Sequence, residues 1–222
     1  MKENPSLIVM LTHNDRTVSN AYEIFDQCRD LDVQYWGFKE EPLPLAQMKE
    51  LYTYMKQCGK TTVLEVVAYT ERACIDGAKV AAECGCDILM GTLYFDSVHA
   101  LCKTAGIRYM PFVGQISGRP SVLEGTPEAM VAQAEAYRAK GVDGFDLLGY
   151  RYTGDATQLN RKFVSQSGAP VCIAGSINSY QRLDEIKAIS PWAFTIGSAF
   201  FEHKFGGDFR EQIAAVCDYI KK

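Results

Sequence analysis

The sequence predicts a single-domain α/β fold, a (β/α)8 TIM barrel spanning residues 1–222. Eight short apolar runs rich in β-branched and aromatic residues alternate with eight segments of helical spacing. The runs recur at roughly 25–30 residues, the repeat of a right-handed β-α-β crossover. Most of them are continuously apolar, as strands of a parallel sheet covered on both faces must be. No linker, low-complexity segment or shift in composition divides the chain, and eight units in 222 residues suit one compact barrel. An open doubly wound sheet is the structural alternative, but the first strand-to-helix turn, Thr12-His13-Asn14-Asp15, carries no glycine fingerprint.

The strands are expected at residues 6–12 (SLIVMLT), 33–39 (VQYWGFK), 61–67 (TTVLEVV), 87–92 (DILMGT), 108–114 (RYMPFVG), 144–149 (GFDLLG), 170–175 (PVCIAG) and 193–198 (AFTIGS). Helices are expected at about 17–30, 44–57, 71–84, 95–105, 127–140, 156–167, 179–190 and 207–221. Gly59, Gly85, Gly106, Gly141 and Gly168 stand where helices should stop. Asp96-Ser97, Thr126-Pro127 followed by Glu128, and Asn178-Ser179 stand where helices should start.

Composition narrows the function. With 47% hydrophobic and 23% charged residues the chain reads as a soluble globular protein with a large core. A net charge of -4 gives no global attraction to nucleic acid or to an anionic membrane, so any anionic ligand must be held by local groups. No apolar stretch approaches the ~20 residues of a spanning helix, and the N-terminus lacks a signal-peptide cleavage site. The eight cysteines are scattered through expected helices and strands, which points to reduced thiols in a cytoplasmic protein. No H-x-H, H-E-x-x-H or convergent acidic pair suggests a metal, and no cofactor is implied; Glu40-Glu41 reads as a solvated edge.

In a barrel of this kind the reacting groups come from strand C-termini and the loops after them. The polar residues there are Thr12 to Asp15, Lys39 to Glu41, Glu65, Thr92, Gln115, Ser117, Arg119, Asp146, Arg151 and the two Gly-Ser pairs. Gly175-Ser176 and Gly197-Ser198 close the last two strands. Glycine admits close backbone approach, and consecutive amides at a strand end bind an anion without net positive charge. Tight turns needing small residues would also explain either pair alone. Arg182 reads as a solvated helix residue.

Glu65 is flanked by Val63-Leu64 on one side and Val66-Val67 on the other, so it should point into the barrel, where a carboxylate needs a partner. Lys39, ending the neighbouring strand, is the candidate partner, and a desolvated Lys-Glu pair can act as acid and base. A structural ion pair, or Lys39 lying in solvent beside Glu40 and Glu41, is the plainer reading. Asp146 is an inward-facing candidate for a substrate hydroxyl, and His13 a candidate proton-transfer group at the barrel mouth. His99 and His203 read as structural or surface groups.

The stretch APVCIAGSINSYQRLDEIKAISPWAFTIGSAF, preceded by GFDLLGYRYTG, resembles the phosphate-binding (ribulose-phosphate-type) barrel superfamily, and in layout the N-acetylmannosamine-6-phosphate 2-epimerases. Those enzymes carry a catalytic glutamate in the seventh strand, where this chain has Ala174-Gly175-Ser176. The middle, ECGCDILMGTLYFDSVHALCKTAGIRYMPFVG, is similar to 2-keto-3-deoxy-6-phosphogluconate aldolases. Their Schiff-base lysine lies on strand six, where GFDLLGYRY has none, so an amine nucleophile would have to come from another strand, as Lys39 could. The glycerol-3-phosphate-responsive antiterminators share an Ile-Ala-Gly seventh strand.

The resemblance implies a small phosphorylated metabolite held near Gly175, Ser176, Gly197 and Ser198. Its carbonyl end would then lie over Lys39 and Glu65, with Asp146 or His13 assisting. Proton abstraction beside a carbonyl would give epimerisation, isomerisation or retro-aldol cleavage. The opposing expectation is a sensor that binds the metabolite and regulates a partner. Small barrels commonly form homodimers, and no residue here marks an interface.

Overall fold

Alternation within each strand sorts side chains between two cores. In β1 (Ser6–Met10), Ile8 and Met10 face one way and Leu7 and Val9 the other. The same period of two holds in β2 (Tyr35–Lys39), β3 (Thr61–Val66), β4 (Ile88–Gly91), β5 (Arg108–Met110), β6 (Phe145–Leu147), β7 (Val171–Ile173) and β8 (Ala193–Ile196). One set, with Ile8, Met10, Val63, Ile88, Met90, Met110, Cys172 and Ala193, fills the barrel interior. The other set, including Trp36, Phe38, Tyr109, Phe145 and Phe194, packs against the surrounding helices.

The computed structural model describes residues 4–222. Its eight strands are parallel and ordered β6-β7-β8-β1-β2-β3-β4-β5. The two outer strands meet through a parallel bridge between Phe112 and Asp146, where the Asp146 amide donates to the Pro111 carbonyl at 3.1 Å. The sheet is thereby closed. The protein is a (β/α)8 barrel, as its sequence predicts. Strand β5 is short because Pro111 has no N–H to continue the ladder. At the base of the same seam the Asp143 carboxylate accepts the Tyr109 amide at 2.8 Å.

Eight helices alternate with the strands: α1 (Ala21–Cys28), α2 (Leu45–Gln57), α3 (Glu71–Cys84), α4 (Asp96–Ala105), α5 (Pro127–Lys140), α6 (Ala156–Gln166), α7 (Tyr180–Ile189) and α8 (Phe209–Lys221). Thr126 caps α5 and Ser179 caps α7 through side-chain bonds to the third residue on. Two expected details change. Asp96 lies inside the first turn of α4, where Tyr94 and Lys140 hold its carboxylate, rather than capping it. Helix α1 starts at Ala21, because Arg16–Thr17 pairs back onto Thr12–His13 as a hairpin.

No helix among the described residues is long and apolar enough to cross a membrane. The eight cysteines are unpaired. Replacing Asp143 by alanine removes the acceptor for the buried residue Tyr109 at the closing seam. The expected loss is about 1 kcal/mol of unfolding free energy, read by urea denaturation.

Candidate functional site

A cavity of about 610 Å3 opens at the C-terminal mouth of the barrel. Lys39 and Glu65 meet on its floor because they are register partners at the ends of β2 and β3, both on the inward parity. Lys39 Nζ lies 3.3 Å from Glu65 Oε1, and the two side chains are only 6% and 9% exposed. The plainer reading, of a lysine lying in solvent, does not hold.

A third charge completes the cluster. Asp15 Oδ1 sits 2.6 Å from Lys39 Nζ, closer than Glu65 does. The hairpin after β1 puts it there. Asn14 and Asp15 both adopt left-handed backbone, at φ 50° and 64°, as the centre of a two-residue turn requires. Thr17 anchors the returning strand: its hydroxyl donates to the Lys39 carbonyl at 2.8 Å and accepts the Lys39 amide at 2.9 Å. The Asn-Asp dipeptide is the sequence signal for this turn, and in the sequence Asp15 reads only as a strand-end residue.

Burial alone would push Lys39 down, but the Glu65 and Asp15 carboxylates outweigh it and hold the amine above the ordinary lysine range. Lys39 is therefore an ammonium at neutral pH. It is placed to stabilise negative charge or donate a proton, and poorly placed to act as an amine nucleophile.

Asp146 points into the barrel, fully buried at 0% exposure, yet it does not line the cavity. Neither carboxyl oxygen has a hydrogen-bond partner among the described residues. Burial, and then the Glu65 charge, pushes its carboxyl well above the carboxylate range, against the opposing pull of Lys39 and Arg151. Asp146 is thus a neutral acid beneath the site rather than a group on its wall. Cys172, its register neighbour, is pushed up chiefly by burial, so its thiol is unreactive.

His13 lies at the rim, outside the cavity lining. Its ring stacks on Phe201 at 5.5 Å and Nε2 is 3.9 Å from Glu202. His99 is bonded to Tyr94, and His203 to the Gly207 carbonyl.

Gly175, Ser176, Gly197 and Ser198 all line the cavity, on the side next to the charged floor. Their glycines have structural reasons of their own. Gly175 adopts φ 82°, and a Cβ there would come within 2.9 Å of Arg151 Nε. A Cβ on Gly197 would come within 2.8 Å of the Thr12 carbonyl. Strand-end glycine here admits an arginine and a neighbouring backbone. Arg182, expected in solvent, donates to the Ser176 carbonyl and stacks over the Tyr150 ring at 4.5 Å, so it braces the loop after β7.

A second hairpin, Gln115–Ser117 paired with Val122–Glu124, roofs the mouth, with Pro120, Ser121 and Val122 lining the cavity. Arg119 at its tip bonds Glu40 and Glu41 and approaches Asp15 at 3.9 Å. Glu40-Glu41 is accordingly a latch for the hairpin, not a solvated edge. Among the described residues no group of three His, Cys, Asp or Glu side chains is arranged to hold a metal ion.

No family model and no curated protein sequence matches this chain. Solved structures do match. Orotidine 5'-phosphate decarboxylase from Pyrococcus horikoshii aligns with a TM-score of 0.72 at 15% identity, over 97% of this chain and 99% of that one. A 4-hydroxy-2-oxoglutarate/2-dehydro-3-deoxyphosphogluconate aldolase aligns at 0.66 and 16%, over 97% and 92%. The glycerol uptake operon antiterminator regulatory protein from Listeria monocytogenes aligns at 0.60 and 18%, over 88% and 93%. At these identities the likeness is one of fold.

The neutral state of Asp146 has a measurable consequence. Its carboxyl is raised in the folded state, so the unfolded chain loses this proton first as pH rises. Stability from Asp146 is then full below about pH 4 and declines above it, by up to about 1.4 kcal/mol per pH unit. Asp146→Asn should gain stability relative to the parent between pH 5 and pH 8 in denaturant titrations. A difference that stays flat with pH would show that Asp146 is not held neutral.

Proposed function

We propose that this protein is an enzyme that moves a proton beside the carbonyl of a small phosphorylated metabolite. The observation that supports this most is the Asp15–Lys39–Glu65 cluster on the floor of the cavity. Desolvating three charges costs stability, and a pocket that only grips its ligand has no need of them.

The chemistry follows from the charge states. A carboxylate, Glu65 or Asp15, takes the proton from carbon next to the carbonyl. The electron pair moves to the carbonyl oxygen, and the Lys39 ammonium stabilises the resulting enediolate. Returning the proton to the other face gives epimerisation, and returning it to the adjacent carbon gives isomerisation. Where a hydroxyl stands one carbon further on, the carboxylate takes that hydroxyl's proton instead, the oxygen becomes the carbonyl of a released fragment, and the electron pair of the broken carbon–carbon bond forms the same kind of enediolate. The phosphate would sit toward Gly175-Ser176 and Gly197-Ser198, fixing the reacting carbon over the floor.

The aldolase and decarboxylase likenesses favour the enzyme reading at the level of fold. The antiterminator likeness favours a second one, in which the same cavity senses a phosphorylated metabolite without changing it. Turnover separates them. A panel of sugar phosphates incubated in deuterium oxide and followed by proton NMR should show exchange beside the carbonyl for one member. Glu65→Gln and Lys39→Met should slow that exchange by about 10²–10⁴-fold while the ligand still binds. Borohydride added during turnover should trap no lysine adduct, because Lys39 is protonated. Tight binding with no exchange in the parent protein would establish the sensor.

A further inference from the structure

Among the described residues, Lys39 and Arg151 are the cations that line the cavity. Lys39 is committed, at 2.6 and 3.3 Å, to Asp15 and Glu65. Arg151 is not. Among the described residues its guanidinium has no hydrogen-bond partner, and its nearest carboxylate oxygen, Asp15 Oδ1, is 3.7 Å from Nη2. A partly buried guanidinium with five unused donors, facing a cavity, is arranged for an anion that comes from outside.

Its placement is built by two elements. The 3-10 turn Gly149–Arg151 after β6 carries the side chain to the mouth, and the stem lies across Gly175, where Cγ and Cδ would be 3.0 and 3.1 Å from any Cβ. The guanidinium is therefore held beside the loops after β7 and β8. Ser176, Asn178 and Ser198 surround the same space. The Ser198 hydroxyl accepts the Asn14 amide at 3.2 Å, which leaves its own proton to donate. Glu202 also lines the cavity, with Lys204 3.5 Å from its carboxylate.

We propose that Arg151 is the charged anchor of a phosphate-monoester subsite, gripping the phosphate with its planar fork beside Ser176, Asn178 and Ser198. This rests on the preceding reading that the ligand is phosphorylated. Asp15 competes for the same guanidinium, so filling the subsite draws Arg151 away from Asp15 and leaves that carboxylate to Lys39 and the more distant Arg119. Arg151 thereby links occupancy of the phosphate end to the charge balance at the reacting end.

Isothermal titration with inorganic phosphate tests this on the intact chain, with thermal melts confirming that each variant folds. Arg151→Gln should weaken binding tenfold or more, and Arg151→Lys should weaken it less, since a point charge replaces a two-pronged donor. Asp15→Asn should bind phosphate several-fold more tightly, because it removes the competing carboxylate. If Arg151→Gln binds phosphate as the parent does, Arg151 is not the anchor, while the phosphorylated-ligand reading stands. If Asp15→Asn binds no more tightly, the competition is absent and the link between the two ends is lost. If the parent binds no phosphate at all, both readings fall.

Discussion

The site depends on one constraint: a lysine ammonium buried at the mouth of the barrel must be neutralised on the spot. An isolated charge there would be prohibitively costly, and the effective penalty is still several kcal/mol for each ion of a paired group. Lys39 is held by Glu65 across the β2–β3 register and by Asp15 from the hairpin above. The hairpin after β1, the Thr17 bonds to Lys39 and the Arg119 latch all serve to keep this cluster assembled. Beneath it Asp146 meets the same constraint in the opposite way, by keeping its proton.

Part of the backbone strain lies around the same mouth. Asn14, Asp15, Thr92 and Ser176 are non-glycine residues with positive φ, and all follow barrel strands. Such conformations cost of order 1–3 kcal/mol for an ordinary side chain and persist only where neighbours enforce them. Asp15 is enforced by its ion pair, Ser176 by the Arg182 bond to its carbonyl, and Thr92 by a 2.8 Å hydroxyl contact with Tyr109. Of these, Asp15 and Ser176 line the cavity.

The architecture was legible because strand period, helix stops and caps agree along the chain, as Thr126, Ser179 and the left-handed Gly85, Gly106 and Gly141 show. Lys39 and Glu65 were legible too, since a period of two in Trp36-Gly37-Phe38-Lys39 and Val63-Leu64-Glu65 fixes which side chains face inward. Asp15 and Arg151 do not stand out in the sequence. Their roles come from contacts between separate elements, Asp15 with Lys39 and Arg151 with Gly175, which no local pattern encodes. The Gly-Ser pairs illustrate the converse: the residues were found, but what approaches Gly175 is Arg151, and what approaches Gly197 is the Thr12 carbonyl.

The protonation state of Lys39 is the most direct test of this account. Selective labelling of lysine side chains and a carbon NMR titration from pH 6 to pH 12 would follow its ε-carbon, with Lys39→Met assigning the signal. The account predicts an ammonium that persists beyond the ordinary lysine value of about 10.4. A Lys39 amine that loses its proton near neutral pH would contradict it, because the two carboxylates would then not be holding the charge.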